Sequence, residues 1–371
     1  MSGRAHVGVL FLAPFGELGG SELVLARLVE ALDERFAPRA LVMTRGPLAD
    51  RLRAAGAPTD VEHLPGKQAV ARFPLVARRA AARLRGEGIS LVHANGTKAA
   101  LLGVPLARRL GVPLLWMKHD HVFDGRVSRG VAARCDRVVC VSESMAAQFP
   151  PPLRERVRVA YPGVRVPAAA DPVGSEPLVV SVGRLDPGKG SVELLRAVAL
   201  LRERGLDARV TVAGPQDRVY PEHARQLQAL VSELGLEDRA YVGWVDDLDA
   251  LYRRARVVAL ASRARPGGAP SEGAPTVLME GMAHARPVVA PQEPGIAEVV
   301  GDCGTLVDER TPDAFARALE PYLADRALAG EVGRRGRERA TRLFSFDRTV
   351  AVLTHEYLAL AAQGPDADAV E

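Results

Sequence analysis

Short apolar runs alternate along this chain with longer segments in which apolar residues return every third or fourth position. His6–Ala13 is such a run, ended by Pro14 and followed by Gly16, Gly19 and Gly20. Ser21–Arg35 then places Leu25, Leu28, Val29 and Leu32 at the spacing of one helix face. The pattern predicts further strands at Ala40–Thr44, Leu91–Ala94, Leu114–Lys118 and Arg137–Val141, with a helix from Thr97 to Leu110. Tyr161–Pro177 is rich in Pro, Ala and Gly, lacks periodicity and reads as an interdomain linker. A second series begins at Leu178–Val182, continues through a helix Ser191–Arg204 closed by Gly205, and adds strands at Ala208–Ala213, Arg239–Val242, Val257–Ala261, Pro287–Ala290 and Thr305–Val307. Helices are predicted near Thr276–Ala285 and over Asp347–Ala362. Strand, turn, helix, repeated, argues for parallel sheets. The expected architecture is α/β: two doubly wound parallel-sheet domains with a cleft between them.

Composition narrows the class. At 371 residues the chain is too long for one ordinary core, and 47% hydrophobic with 25% charged residues excludes disorder, a coiled coil and a collagen-like repeat. No apolar run reaches the roughly 18 residues of a membrane span, and Met1–Phe11 lacks a signal-peptide pattern. Cys135, Cys140 and Cys303 are too few and too scattered for a disulfide framework. A cytoplasmic protein is expected. Charge is uneven: Met1–Arg165 carries a net +11 and the remainder −7. The basic half suits an anionic partner or simply a solvated basic face. Nucleic acid is not expected, because only 5% of residues are aromatic and none interleave with the arginines in a stacking motif.

Three loops hold candidate chemistry. Pro14–Glu22 carries Gly19 and Gly20 just before a helix, where bare backbone N–H groups can meet a phosphate or a sugar, or where Ser21 simply caps the helix. The dinucleotide spacing G-x-G-x-x-G is absent, which argues against a nicotinamide dehydrogenase. Val182–Ser191 presents Arg184 and Lys189 across a Gly/Pro turn before a helix, a pair that suits a diphosphate or sits solvated on the loop. The Walker A pattern is not present. The third loop, Arg265–Pro270, leads into Ser271, Glu272, Gly273, Ala274, Pro275 and Thr276, with Glu280 following on the helix. Pro275 fits the first turn of that helix. Glu272 and Glu280 are expected to look into one crevice, as stringent acceptors for sugar or ribose hydroxyls.

Glu272-x7-Glu280, with Gly281–Ala290 after it, resembles the signature of the retaining GT-B glycosyltransferases of family 4. The Gly19-Gly20 turn, Tyr161–Val164, Val182-Gly183-Arg184 with Lys189-Gly190, Ala213-Gly214, Val242-Gly243 and Gly295…Glu298 match it in order, over about residues 7 to 360.

The resemblance implies two Rossmann-like domains facing a deep cleft, residues 1–168 for the acceptor and 176–346 for the nucleotide sugar. Helix 347–362 is expected to pack back on the first domain, with a disordered tail at 363–371. Arg184 and Lys189 would neutralise the diphosphate, Glu272 would hold the donor sugar and Glu280 the ribose. Gly19 and Gly20 would offer N–H groups, and Gly214, Gly243, Ser271, Gly273, Ala274, Pro275 and Thr276 would complete the donor site. His119 matches the family's first-domain histidine, with His121 as the alternative if the register slips. A uridine diphosphate hexose is the expected donor, and no metal or other cofactor is expected. The route expected is front-face displacement. The acceptor is a small molecule, lipid-linked compound or glycan. Gln68–Arg85, with Arg72, Arg78, Arg79, Arg83 and Arg85, is either an ordinary outer helix or a basic surface touching anionic membrane at the inner face. A non-hydrolysing sugar-nucleotide epimerase and a non-catalytic nucleotide-sugar-binding protein share the fold and remain alternatives.

Overall fold

The computed structural model describes residues 6–64, 66–170, 172–216, 219–264 and 270–363, with backbone only at 67 and 68. The expected loop residues 265–269 and the tail from 364 lie outside the described residues. The chain folds into two compact units. The first is formed up to Gly163 and again from Asp347; the second runs Val164–Phe346.

The first unit holds strands β1 (Val7–Ala13), β2 (Phe36–Val42), β3 (Thr59–Val61), β4 (Ile89–Asn95), β5 (Leu114–Lys118), β6 (Arg137–Cys140) and β7 (Val157–Val159), in the order β3-β2-β1-β4-β5-β6-β7. Every pairing is parallel. All seven residues of β1 are buried, as expected of a central strand covered by helices on both faces. The second unit repeats the plan with β8 (Leu178–Val182), β9 (Arg209–Ala213), β10 (Ala240–Gly243), β11 (Val257–Ala259), β12 (Val288–Pro291) and β13 (Gly304–Val307), in the order β10-β9-β8-β11-β12-β13, again all parallel. Strand order reverses between β1 and β4 in one sheet and between β8 and β11 in the other. Ligands of open α/β sheets bind at such switch points, beyond the carboxyl ends of the strands.

β3 and β7 escape the hydrophobic pattern because each is a three-residue edge strand carrying a charge, Thr-Asp-Val and Val-Arg-Val. The helix Arg326–Leu343 escapes it for another reason: its inner face is made of small residues, Ala329, Gly333, Gly336 and Ala340, with Val332. A Cβ on Gly333 would stand 2.0 Å from the Ala285 carbonyl oxygen, so the close approach needs a residue without one.

The segment expected as a linker is not loose. Val164 bridges Ser345, Arg337 donates to the Pro167 carbonyl, Arg286 to Pro172, Arg326 to Val173, and Arg256 to Gly174 and Ser175. Residues 164–168, expected in the first domain, therefore belong to the second unit. Arg286 is fully buried, and its guanidinium donates to the backbone carbonyls of Pro172, Tyr252 and Arg253, which meets the need of buried donors for acceptors. The three cysteines are buried free thiols. Among the described residues no helix is long and apolar enough to cross a membrane.

Candidate active site

In the second unit the loops after β8, β9 and β10 meet edge to edge. Gly183 N donates to Ala213 O and Gly214 N to Gly243 O, both at 2.9 Å. A Cβ on Gly214 would stand 1.8 Å from the Gly183 carbonyl oxygen, so this contact again demands glycine. Beyond Gly183, Arg184 lies exposed with its guanidinium 3.2 Å from Asp186. Asp186 Oδ1 accepts from Gly188 N at 2.8 Å and caps the short turn Pro187–Lys189. Gly190 follows at φ +69°, with its α-carbon pressed against the Ala261 backbone, and the helix Ser191–Glu203 begins. Lys189 is thereby turned toward the loop after β11.

There its Nζ meets Glu272 Oε1 at 2.6 Å, and Ser262 Oγ donates to the same oxygen at 2.7 Å. Glu272 Oε2 has no partner among the described residues. One oxygen is spent on orientation, and the other can still accept a hydrogen bond. The loop is anchored behind: Glu293, buried, accepts from Ser271 N at 2.8 Å and Ser271 Oγ at 2.7 Å, and pairs with Arg310. Arg310 also donates to Ser262 O at 3.1 Å. Gly273, buried, sits so close to Gly295 that a Cβ there would be 2.2 Å from the Gly273 oxygen. Pro275 stands one position earlier than expected, at the cap with extended ψ of 112°, and Thr276 is the first helical residue of Thr276–Ala283. Glu280 accepts from the buried Tyr252 hydroxyl at 2.8 Å. Burial, and then the Glu280 charge, push the Tyr252 phenol well above its ordinary value, so it stays a donor. Tyr252 stacks on His284.

Asp247 Oδ1 caps the helix Leu248–Arg254 by accepting from Ala250 N, and Asp246 accepts from Trp244 Nε1.

In the first unit, Gly19 is the cap residue and Gly20 the first residue of the helix Gly20–Glu30. Glu22, in its first turn, is buried, and burial holds its carboxyl above the ordinary carboxylate range. His119 follows β5. Its Nε2 lies 2.6 Å from Asn95 Oδ1, and Asn95 Nδ2 donates at 3.4 Å to Ser21 O, so the first turn of the helix Gly20–Glu30 is joined to the ends of β4 and β5. Burial pushes the His119 imidazole down to about 4. His121 is held differently: its Nδ1 lies 2.7 Å from Asp124, whose other oxygen is 2.6 Å from the fully buried Lys118 ammonium. The expected residues Arg184, Lys189, Gly214, Gly243, Ser271, Glu272 and Glu280 all lie on or just beyond carboxyl ends of the second sheet, and Gly19, Gly20 and His119 on those of the first. Sequence reasoning passed over Ser262, Glu293, Arg310, Tyr252 and Asn95. These residues face other side chains rather than marking a motif, and only fold contacts single them out.

Known proteins resemble this chain over most of its length. Residues 176–325 match the model of the glycosyl transferases group 1, and residues 18–166 that of glycosyltransferase family 4. A D-inositol 3-phosphate glycosyltransferase of Salinispora tropica is 32% identical over 343 residues, 80% of this chain and 69% of that protein. A GDP-mannose-dependent alpha-(1-6)-phosphatidylinositol monomannoside mannosyltransferase of Mycobacterium tuberculosis is 30% identical over 332 residues, 84% of this chain and 80% of that protein. The solved structure of Anabaena HepE with UDP-glucose superposes with a TM-score of 0.78 at 21% identity, over 96% of this chain and 100% of that one. Sucrose-phosphate synthase from Thermosynechococcus elongatus does so at 0.78 and 21%, over 97% and 100%. With paired switch-point sheets, two matched family models and relatives spanning most of its length, the chain belongs to glycosyltransferase family 4 and has the GT-B fold.

Proposed function

We propose that this glycosyltransferase moves a hexose from a nucleoside diphosphate sugar, with uridine as the base, to an acceptor hydroxyl, retaining the anomeric configuration and using no divalent metal. The observation that carries the reading is the Lys189–Glu272 contact at the β8/β11 switch point, where a cation from the loop after β8 meets a carboxylate from the loop after β11. Arg184 and Lys189 are the cations for the diphosphate, worth roughly 3–4 kcal/mol each in the transition state. Glu272 takes the sugar hydroxyls and Glu280 the ribose. Gly19 and Gly20 offer backbone N–H groups, and His119 receives a donor-sugar hydroxyl. In the front-face route the bond from C1 to the acceptor oxygen forms on the face from which the diphosphate departs. The leaving phosphate oxygen takes the acceptor's proton, so no protein base is needed.

UDP-glucose bound to HepE and GDP-mannose in the name of the mycobacterial relative have in common a nucleoside diphosphate hexose, the class proposed here. The acceptor is proposed to be lipid-linked, in line with the phosphatidylinositol acceptor in that relative's name, and met at the inner face of the membrane. The helix Phe73–Leu84 buries Phe73, Val76 and Ala80 and leaves Leu75, Arg78, Arg79 and Arg83 outward, which suits that reading. The test is incubation with UDP- and GDP-hexoses, with and without a lipid-linked acceptor panel, in excess chelator. Nucleoside diphosphate released only with acceptor, and an α-linked product from an α-linked donor, supports the reading. Epimerised donor, turnover lost with chelator, or an inverted product removes it.

A further inference from the structure

His119 can present either a proton or a lone pair to a ligand, and the choice lies with its neighbour. Asn95 ends β4, where it pairs with Met117, two residues before His119 on β5. The Ser21 carbonyl can only accept a hydrogen bond, so the Asn95 amide must turn Nδ2 toward it and Oδ1 toward the imidazole. Oδ1 also can only accept, so the ring nitrogen 2.6 Å away, Nε2, must carry the proton. Nδ1 has no partner among the described residues. We propose that Asn95 is the positioning residue that fixes the tautomer of His119, so that Nδ1 faces the ligand as a lone pair and receives a hydrogen bond from a donor-sugar hydroxyl.

The charges around the ring are compatible with a neutral imidazole. Asp120 favours its protonation, while Lys118 opposes it and is itself tied to Asp124 and to the Asp120 carbonyl. His93, on β4, lies near enough to interact with His119 and is bonded through Nδ1 to Tyr357. On the helix Gly20–Glu30, Glu22 interacts with Asp120 and accepts from Ser21 Oγ. Asn95 is thus a neutral partner where a carboxylate would stabilise imidazolium and abolish the lone pair.

The functional half rests on the reading that His119 faces the donor sugar, and the experiment separates the two. Ring-nitrogen NMR of the free protein, with the His119 signals assigned by their loss in His119→Gln, reads the tautomer directly. Protonated Nε2 with bare Nδ1 is expected in the wild type. In Asn95→Asp the ring is expected to stay protonated to higher pH. Its kcat/KM for the nucleotide sugar should then fall about tenfold for each pH unit below the raised pKa, a limb that in the wild type begins only near pH 4. Should that variant not fold, Asn95→Leu is expected to show both tautomers. A wild-type ring protonated on Nδ1, or a ring unchanged in both variants, overturns the proposal. A shifted ring with an unshifted kcat/KM profile upholds the Asn95 control and removes the placement of the donor sugar at His119.

Discussion

Lys189 and Ser262 converge on a single oxygen of Glu272, at 2.6 and 2.7 Å, and that economy defines what each residue can do. A cation held by a carboxylate is oriented before any ligand arrives, so little reorganisation remains for the reaction. Lys189→Ala is expected to lower kcat by about 10²–10³-fold; unchanged steady-state turnover would remove the lysine from the machinery. Tyr252→Phe removes one hydrogen bond to the Glu280 carboxylate. The cost should be roughly 1.5 kcal/mol, near tenfold in nucleoside diphosphate affinity by calorimetry, with kcat little changed. Equal Kd values would leave Tyr252 a packing residue. His93 supplies the pH test. Burial takes its imidazole from 6.5 to about 3. Between those values the unfolded chain binds a proton that the folded chain refuses, so stability is complete above pH 6.5 and falls as pH drops toward 3. His93→Phe should flatten the slope of Tm against pH in that window, and an equally steep slope would acquit this histidine.

At the scale of elements, the site depends on loops gripping one another where side chains are absent. Gly190 occupies φ +69°, and a Cβ there would stand 1.9 Å from the Ala261 carbonyl oxygen. Gly190→Ala therefore strains the turn, at roughly 1–3 kcal/mol for the backbone conformation alone, and pushes the β11 loop away from Lys189. Activity is expected to fall further than the folded fraction measured by circular dichroism; a proportional fall would mean a purely structural effect. The same elements explain what could be read from sequence. β8, Leu178–Val182, is apolar at every position but Ser181, and its limits match the expectation to the residue. Arg326–Leu343 buries alanines and glycines, whose periodicity a search for large apolar residues does not register.

At the scale of the whole molecule, the chain closes its first unit with its last helix. Phe346–Ala361 follows the second unit in sequence, yet Tyr357 is fully buried against His93, Phe11 and Phe36, and Glu356 pairs with Arg137 and Arg158. Removing residues 346–371 should strip partners from β1, β4 and β6. Amide exchange in β1 and β4 is then expected to accelerate while the strands of the second unit keep their protection. Identical exchange in both units would show that the helix is dispensable.

The order of the apolar strands, the parallel character of both sheets, the loops carrying Arg184, Lys189 and Glu272 and the helix carrying Glu280 were determined by the sequence itself, because apolar periodicity and turn residues are local properties. Tertiary structure alone decided that residues 164–177 belong to the second unit, since their ties are carbonyl acceptors for arginines distant in the chain. It likewise decided which histidine is bonded to Asn95 and which to Asp124. Those assignments depend on which strand ends become neighbours, and no pattern within one segment records its neighbours.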